Sequence, residues 1–118
     1  MNEKKVTING KEYPVVFNIK TMLNYEGITS TSFFSEKFNK LKERMVLVLA
    51  AALAADENTT LTLADLTERD SWKAIQEVIA AFAVVMQSAE EFFEIPSVVA
   101  AAEPQPTEKE EQEDGAKN

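Results

Sequence analysis

The chain has 118 residues, which is the length of one ordinary domain. It carries 20 acidic against 12 basic residues, a net charge of -8, and this excess argues against nucleic acid or an anionic membrane as a partner. The sequence contains neither Cys nor His, which excludes disulfides, thiolate zinc sites and His-dependent catalytic triads.

Two features bear on cellular location. The opening segment MNEKKVTING lacks the apolar stretch of a signal peptide. The longest strongly apolar run, Met45 to Ala55, is too short to span a bilayer. We therefore expect a soluble, cytoplasmic protein.

The first predicted element is a β-hairpin over residues 5–17. Apolar residues alternate with polar ones on both sides of Asn9-Gly10, a pair that suits a two-residue type I′ turn. Pro14 has no N–H to donate, so the second strand is expected to lie at a sheet edge.

Residues 18–55 change to helical spacing. Asn18 is a candidate N-cap for a short helix, and Gly27 is suited to end it. Phe33, Phe38 and later apolar residues follow at helical intervals, as one long helix or as two. The run from Met45 to Ala55 has no polar face, which favours a position at the centre of a small bundle.

A short turn and a long final helix complete the folded part. Thr62 and Asp65 resemble a capping pair, and Asp70 starts a helix over roughly residues 71–93. Its apolar residues form two lines about 80° apart. The larger line is interpreted as the core-facing stripe: Trp72, Ile75, Ile79, Phe82, Met86, Ala89 and Phe93.

The second line comprises Val78, Val85 and Phe92. Together the two lines cover an arc of about 160°, wider than the roughly 100° that a surface helix needs. The second line therefore packs on the N-terminal hairpin or forms a groove for a partner. We place the candidate partner-binding site, or a self-association surface, at these three residues. If that placement is right, Val85→Asp folds cooperatively but loses its partner.

The C-terminal part has a different composition. Beyond Val99 no large apolar residue occurs, and residues 103–118 contain six acids and two lysines. Such a segment buries too little surface to offset its ordering entropy. The overall prediction is an α+β chain with one folded domain over residues 1–95 and a disordered acidic tail over residues 96–118.

Catalysis has little support in the sequence. The Glu90, Glu91 and Glu94 carboxyls lie on the polar face of a predicted helix, where nothing apolar raises their pKa. The three glycines form no phosphate-binding loop, and no metal-ligand spacing occurs. We expect neither enzymatic activity nor a cofactor or metal.

The order of these parts resembles a known family. A hairpin opening TINGKEYPVVFNIKTMLNYEGITSTSFF leads to an alanine-rich apolar helix, a segment LTLADLTERD and a long last helix. With its Asn-Tyr-Glu-Gly and Ser-Phe-Phe sequences, the chain resembles the tail assembly chaperones of long-tailed bacteriophages over about residues 5–95.

The resemblance implies a binding function. Members of that family coat the aggregation-prone tape measure protein and deliver it to tail tube subunits. The implied partners are therefore the tape measure protein and the tail tube protein, met in the bacterial host cytoplasm, and the chaperone is absent from the mature virion. The alternative is a structural or adaptor subunit whose apolar helix face forms a permanent homo-oligomer interface.

Overall fold

The structure, a computed structural model, describes residues 3–94. These residues form a two-stranded hairpin followed by four α-helices, which confirms the predicted α+β class. The elements are β1 Lys4–Ile8, β2 Lys11–Val15, α1 Ile19–Thr29, α2 Leu41–Ala55, α3 Leu63–Thr67 and α4 Trp72–Phe93. The predicted boundary at residue 95 and the predicted disordered tail at 96–118 lie outside the described residues. No helix within residues 3–94 is long and apolar enough to cross a membrane.

The hairpin forms as its sequence indicates. β1 and β2 are antiparallel, with Val6 opposite Tyr13. Asn9 and Gly10 take φ values of 53° and 80°, as the two central residues of a type I′ turn require. Pro14 lies on one of the two edges of the sheet, because a two-stranded sheet has no interior strand.

The apolar helix α2 lies at the centre of the fold, as predicted. Every residue from Met45 to Ala52 is buried. α1, α3, α4 and β2 all pack on this helix, and α4 also packs on β1. Because Ala50, Ala51 and Ala52 carry only a methyl group, neighbouring elements approach the α2 backbone closely.

The segment between α1 and α2 differs from the prediction. It is neither one long helix nor two, because residues Phe33–Ser35 form a single 3-10 turn and α2 begins only at Leu41. Phe38 has a left-handed φ of 55° and its carbonyl accepts from Arg44 Nε at 2.7 Å. The phenylalanines in this segment pack ring against ring, so their helical spacing does not report a helix.

Gly27 does not end α1, which also corrects a prediction. The helix continues to Thr29, and Ser30 takes the left-handed conformation, with its N–H donating to the Glu26 carbonyl. A Cβ at Gly27 would meet nothing within 4 Å, so neither backbone nor space demands glycine there. The Glu26 carboxylate accepts the N–H of Phe33 at 2.8 Å, which secures the turn that follows.

Side-chain caps fix three helix starts. Thr62 with Asp65 forms the reciprocal capping box that its sequence indicates, and the predicted N-cap Asn18 forms another with Thr21. For α4 the cap is Ser71 and not Asp70, because the Ser71 hydroxyl accepts the Ala74 N–H at 3.1 Å.

The junction between β2 and α1 ties four elements together. Val16 donates its N–H to the Ala51 carbonyl of α2 at 3.2 Å, and Phe17 donates to the Ser88 hydroxyl of α4 at 2.9 Å. The Thr21 hydroxyl of α1 donates to the Val16 carbonyl at 2.7 Å. These buried bonds set where the hairpin, α1, α2 and α4 meet.

Replacing Thr21 with Val tests this junction. The substitution keeps the shape of the side chain but removes the donor to the Val16 carbonyl and the acceptor for the Asn18 N–H. We expect a loss of about 2 kcal/mol in the free energy of unfolding, measured by urea denaturation. The matched control, Thr7→Val on the exposed side of β1, is expected to change it by less than about 0.5 kcal/mol. Equal losses of stability in the two variants would show that the Thr21 hydrogen bonds at the junction do not stabilise the fold.

Glu77 of α4 attaches the hairpin turn to the helix. Its carboxylate accepts from the Arg69 guanidinium and from the Asn9 N–H, the latter at 2.9 Å. The Arg69 hydrogen bond, and then the Asn9 bond, lower the pKa of Glu77 below its usual range. The folded state therefore favours the charged form of Glu77. The contribution of Glu77 to stability is present above the pKa of the unfolded state, and it is lost as the pH falls through the pKa of the folded state.

The variant Glu77→Gln is therefore expected to be less stable than the parent by about 1 kcal/mol at neutral pH. The difference should persist down to about pH 5 and shrink towards zero below about pH 3, because the unfolded carboxyl titrates near 4.3. Urea midpoints measured across this range check the prediction. A difference that stays constant with pH would contradict it.

Candidate functional site

The buried face of α4 is not the face that its largest residues predict. The two valines of the second line point into the core, where Val78 is 1% and Val85 is 0% exposed. Phe92 is half-buried, with its ring centroid 5.7 Å from that of Phe17. Val78 and Val85 therefore do not line an open groove in this structure, and packing towards the chain's own core and hairpin, the other alternative, is what the structure has.

Most large residues of the larger apolar line, which was predicted to face the core, are exposed to solvent. Trp72 is 66%, Ile79 45%, Phe93 42% and Met86 37% exposed. Ile75 and Phe82 are half-buried, and of the seven residues in that line Ala89 alone is buried. Relative to the prediction, α4 is rotated by roughly a quarter turn about its axis.

Side-chain size explains the rotation. Besides the two valines, α4 turns small residues inward: Ala74, Ala81, Ser88 and Ala89. Small side chains let α4 lie close to α2 and β1, on which it packs. The large side chains would hold α4 away from that surface. They therefore lie on the side of α4 next to its buried face.

We call the exposed residues Trp72, Ile79, Met86 and Phe93 the α4 stripe. They recur at intervals of seven, so they form one nearly straight line along the helix. At 1.5 Å per residue the line is about 32 Å long. Isolated exposed apolar residues are ordinary, but a continuous line of large ones marks an interaction surface.

At one end the α4 stripe runs into a cluster of aromatic rings. All seven phenylalanines of the sequence, together with Tyr25, are joined by ring contacts with centroid distances of 5.0 to 6.4 Å. Phe17 is the link, since its ring contacts both Phe33 and Phe93. Phe34, on the outer side of Phe33, is 78% exposed.

A cleft opens between this cluster and α4. Its volume is about 210 Å³, which suits one or two large apolar side chains. Met86 and Phe93 of the α4 stripe form one wall, and Phe33 and Phe38 lie among the residues opposite. Glu90 is the charged residue at its edge. The stripe and the cleft together make the candidate functional site.

The side chains of this site offer mainly apolar contact. Its lining is aliphatic and aromatic apart from Glu90. Within the described part of the chain no group of three acidic residues is placed to hold a metal ion. Glu91, on the polar side of α4, pairs instead with Lys4 of β1 at 2.8 Å. An apolar cleft continuing into an apolar helix stripe fits a partner's apolar side chains.

No protein-family model, curated protein or solved structure matches this chain. The functional interpretation therefore rests on the Asn-Tyr-Glu-Gly and Ser-Phe-Phe sequences and on the α4 stripe with its cleft.

Sequence reasoning missed the cleft because its walls come from distant segments. Phe17, Phe33 and Phe93 meet only through the β2–α1 junction and the irregular segment before α2. A signal for the rotation of α4 was nevertheless present. Ala74, Ala81 and Ser88 recur at intervals of seven, and a line of small residues marks the side of a helix that approaches its neighbours closely.

Two adjacent substitutions test the orientation of α4. Val85→Asp places a charge in the core and is expected to cost about 4 kcal/mol or more, enough to abolish cooperative unfolding. Met86→Asp, one residue away, is expected to cost about 1 kcal/mol or less. Thermal and urea unfolding measure both. The orientation of α4 would be contradicted if Val85→Asp unfolded like the parent and Met86→Asp failed to fold.

Proposed function

We propose that this chain is a non-enzymatic assembly chaperone that covers an apolar helix of the phage tape measure protein and keeps it soluble for tail tube assembly. The observation that carries the proposal is the α4 stripe, which presents four large apolar side chains to solvent and ends in an aromatic cleft. A chain that leaves such a surface uncovered gains by binding a matching apolar surface.

The shape of the surface favours a helix as the occupant. The stripe is a straight line of side chains one heptad apart, and a second helix packed along it presents its own apolar residues at the same interval. The cleft beside Phe93 then takes one larger anchor residue. This is helix-in-groove recognition, in which a few apolar anchors supply most of the affinity.

Charge around the stripe favours a partner segment with basic residues beside its apolar ones. Glu90 borders the cleft, and the exposed Glu94 directly follows Phe93. The net charge of -8 also counters self-association of a complex that has buried an aggregation-prone helix.

The identity of the partner comes from the family resemblance. Tape measure proteins are long and helical, so they display the kind of apolar stripe that the α4 surface fits. The same resemblance supports action in the host cytoplasm, release before the virion is complete, and contact with the tail tube protein.

Co-expression with a tape measure protein from the same phage or prophage genome tests the proposal. We expect that protein to be soluble and to co-purify only when this chain is present. The double variant Ile79→Asp/Met86→Asp should lose this effect, because two charges interrupt the stripe. The control Gln76→Asp/Gln87→Asp adds the same charge on the exposed polar face and should retain it.

Other results would refute the chaperone function. If the partner's solubility is unchanged and nothing co-purifies, the proposal fails. If the chain alone forms an oligomer that Ile79→Asp/Met86→Asp dissociates, and the chain remains in purified particles, the α4 stripe is a permanent interface of a structural subunit.

A further inference from the structure

The aromatic cleft and the only tryptophan of the sequence lie at opposite ends of the α4 stripe. Met86, Glu90 and Phe93 line the cleft near the C-terminal end of α4. Trp72 is the first residue of α4 and is 66% exposed. One end of the stripe therefore offers a cavity for a large ring, and the other end presents such a ring to solvent.

Trp72 cannot reach the cleft of its own chain. The helix holds Trp72 and Phe93 about 32 Å apart, several times the length of an indole side chain. A second copy whose α4 runs antiparallel to the first removes this separation. The even spacing of the stripe then brings Trp72 of one copy opposite Phe93 of the other, and Ile79 opposite Met86.

We propose that two copies of this chain form a reversible dimer through antiparallel α4 helices, in which Trp72 of each copy fills the aromatic cleft of the other. The contact is two-fold symmetric, so both clefts are filled at once. The cleft volume of about 210 Å³ accommodates one large ring, and the rings of Phe33 and Phe93 in its lining offer tilted aromatic contacts.

Glu90 supplies the polar contact that a buried tryptophan needs. The indole N–H is a donor only, and it usually has an acceptor when the ring is buried. Among the described residues that line the cleft, Glu90 alone is charged. Its carboxylate lies at the edge of the cleft, where it accepts from Nε1 of Trp72 of the second copy.

Parallel pairing of the two helices fits the surface less well. It places Trp72 beside Trp72 and Glu90 beside Glu90, because equivalent residues then lie at the same level. Both clefts are left without a ring, and like charges face each other at the cost of affinity. The antiparallel arrangement has neither defect.

The dimer is expected to be weak. The stripe is about 32 Å long and one helix wide, so the two copies together bury less than roughly 1,200 Å², the range of transient interfaces. We expect a dissociation constant on the order of 100 μM. The dimer covers the surface that the proposed function gives to a partner helix, so the two states exclude each other. The inference rests on the orientation of α4 and not on the identity of that partner.

Fluorescence of the full chain tests the dimer, because Trp72 is its only tryptophan. Between about 1 μM and about 1 mM chain, we expect the emission to shift to shorter wavelength, with a midpoint on the order of 100 μM. Quenching by acrylamide should weaken over the same range, because the ring becomes buried. Sedimentation equilibrium should show the mass rising from one chain to two.

Variants locate the contact. Trp72→Ala and Met86→Asp should each weaken dimerisation at least about tenfold, since a tryptophan and the wall of its pocket carry much of the affinity of a small interface. Lys73→Gln is the matched control, because Lys73 is exposed beside Trp72 but belongs to neither the stripe nor the cleft. It should dimerise like the parent. Urea unfolding shows whether each variant is folded.

Mixing two variants decides how the helices pair. Trp72→Ala keeps an intact cleft, and Met86→Asp keeps the tryptophan, so a mixed dimer restores one of the two contacts. Adding Trp72→Ala to Met86→Asp should therefore shift the Trp72 emission at concentrations where neither variant dimerises alone.

Three results would overturn the proposal. The first is a chain that stays monomeric with unshifted emission at about 1 mM. The second is a dimer that Met86→Asp leaves unchanged, and the third is a mixture that behaves like its separate components. A monomeric chain that still solubilises the tape measure protein would remove the dimer alone, whereas a dimer that captures no partner would remove the chaperone function alone.

Discussion

Helix α2 carries apolar side chains around its whole circumference, and a chain of this length has few elements with which to cover it. Residues Met45 to Ala52 are all buried, by α1 and α3, by α4, and by β2 of the hairpin. The hydrogen bonds at Val16 and Phe17 join the strand to α2 and α4 at the point where these elements converge. Burial of α2 therefore determines where every other element lies, because apolar burial is the main driving force of folding.

The orientation of α4 follows from that constraint. Close approach to α2 and the hairpin selects the small side chains and the two valines of α4 for the interior. The large residues of the α4 stripe are then left on the exposed side of the helix. The small residues let α4 pack tightly on α2 and β1, and the same orientation leaves Trp72, Ile79, Met86 and Phe93 exposed.

The sequence predicted correctly those features that depend only on neighbouring residues in the chain. Asn9-Gly10 specifies its turn through positive φ, and Thr62 with Asp65 forms its own cap. The apolar run of α2 favours the interior, where the structure places it. The orientation of α4 was not accessible in the same way, because apolar residues cover an arc of about 160° and hydrophobicity alone cannot choose its inner part. The spacing of Phe33 and Phe38 suggested a helix for a related reason. Their rings pack on Phe17 and Tyr25, and the backbone around them is irregular. The aromatic cleft depends on all of these tertiary contacts together.

The central claim is that α4 turns Val78 and Val85 inward and the α4 stripe outward. It is tested most directly by methyl resonance spectroscopy of the dilute chain with a soluble gadolinium chelate, which broadens signals near solvent. We predict strong broadening of the Met86 and Ile79 methyl signals and little effect on those of Val78 and Val85. Strong broadening of the two valines with protected Met86 and Ile79 would contradict the orientation of α4, and the proposed partner-binding surface with it.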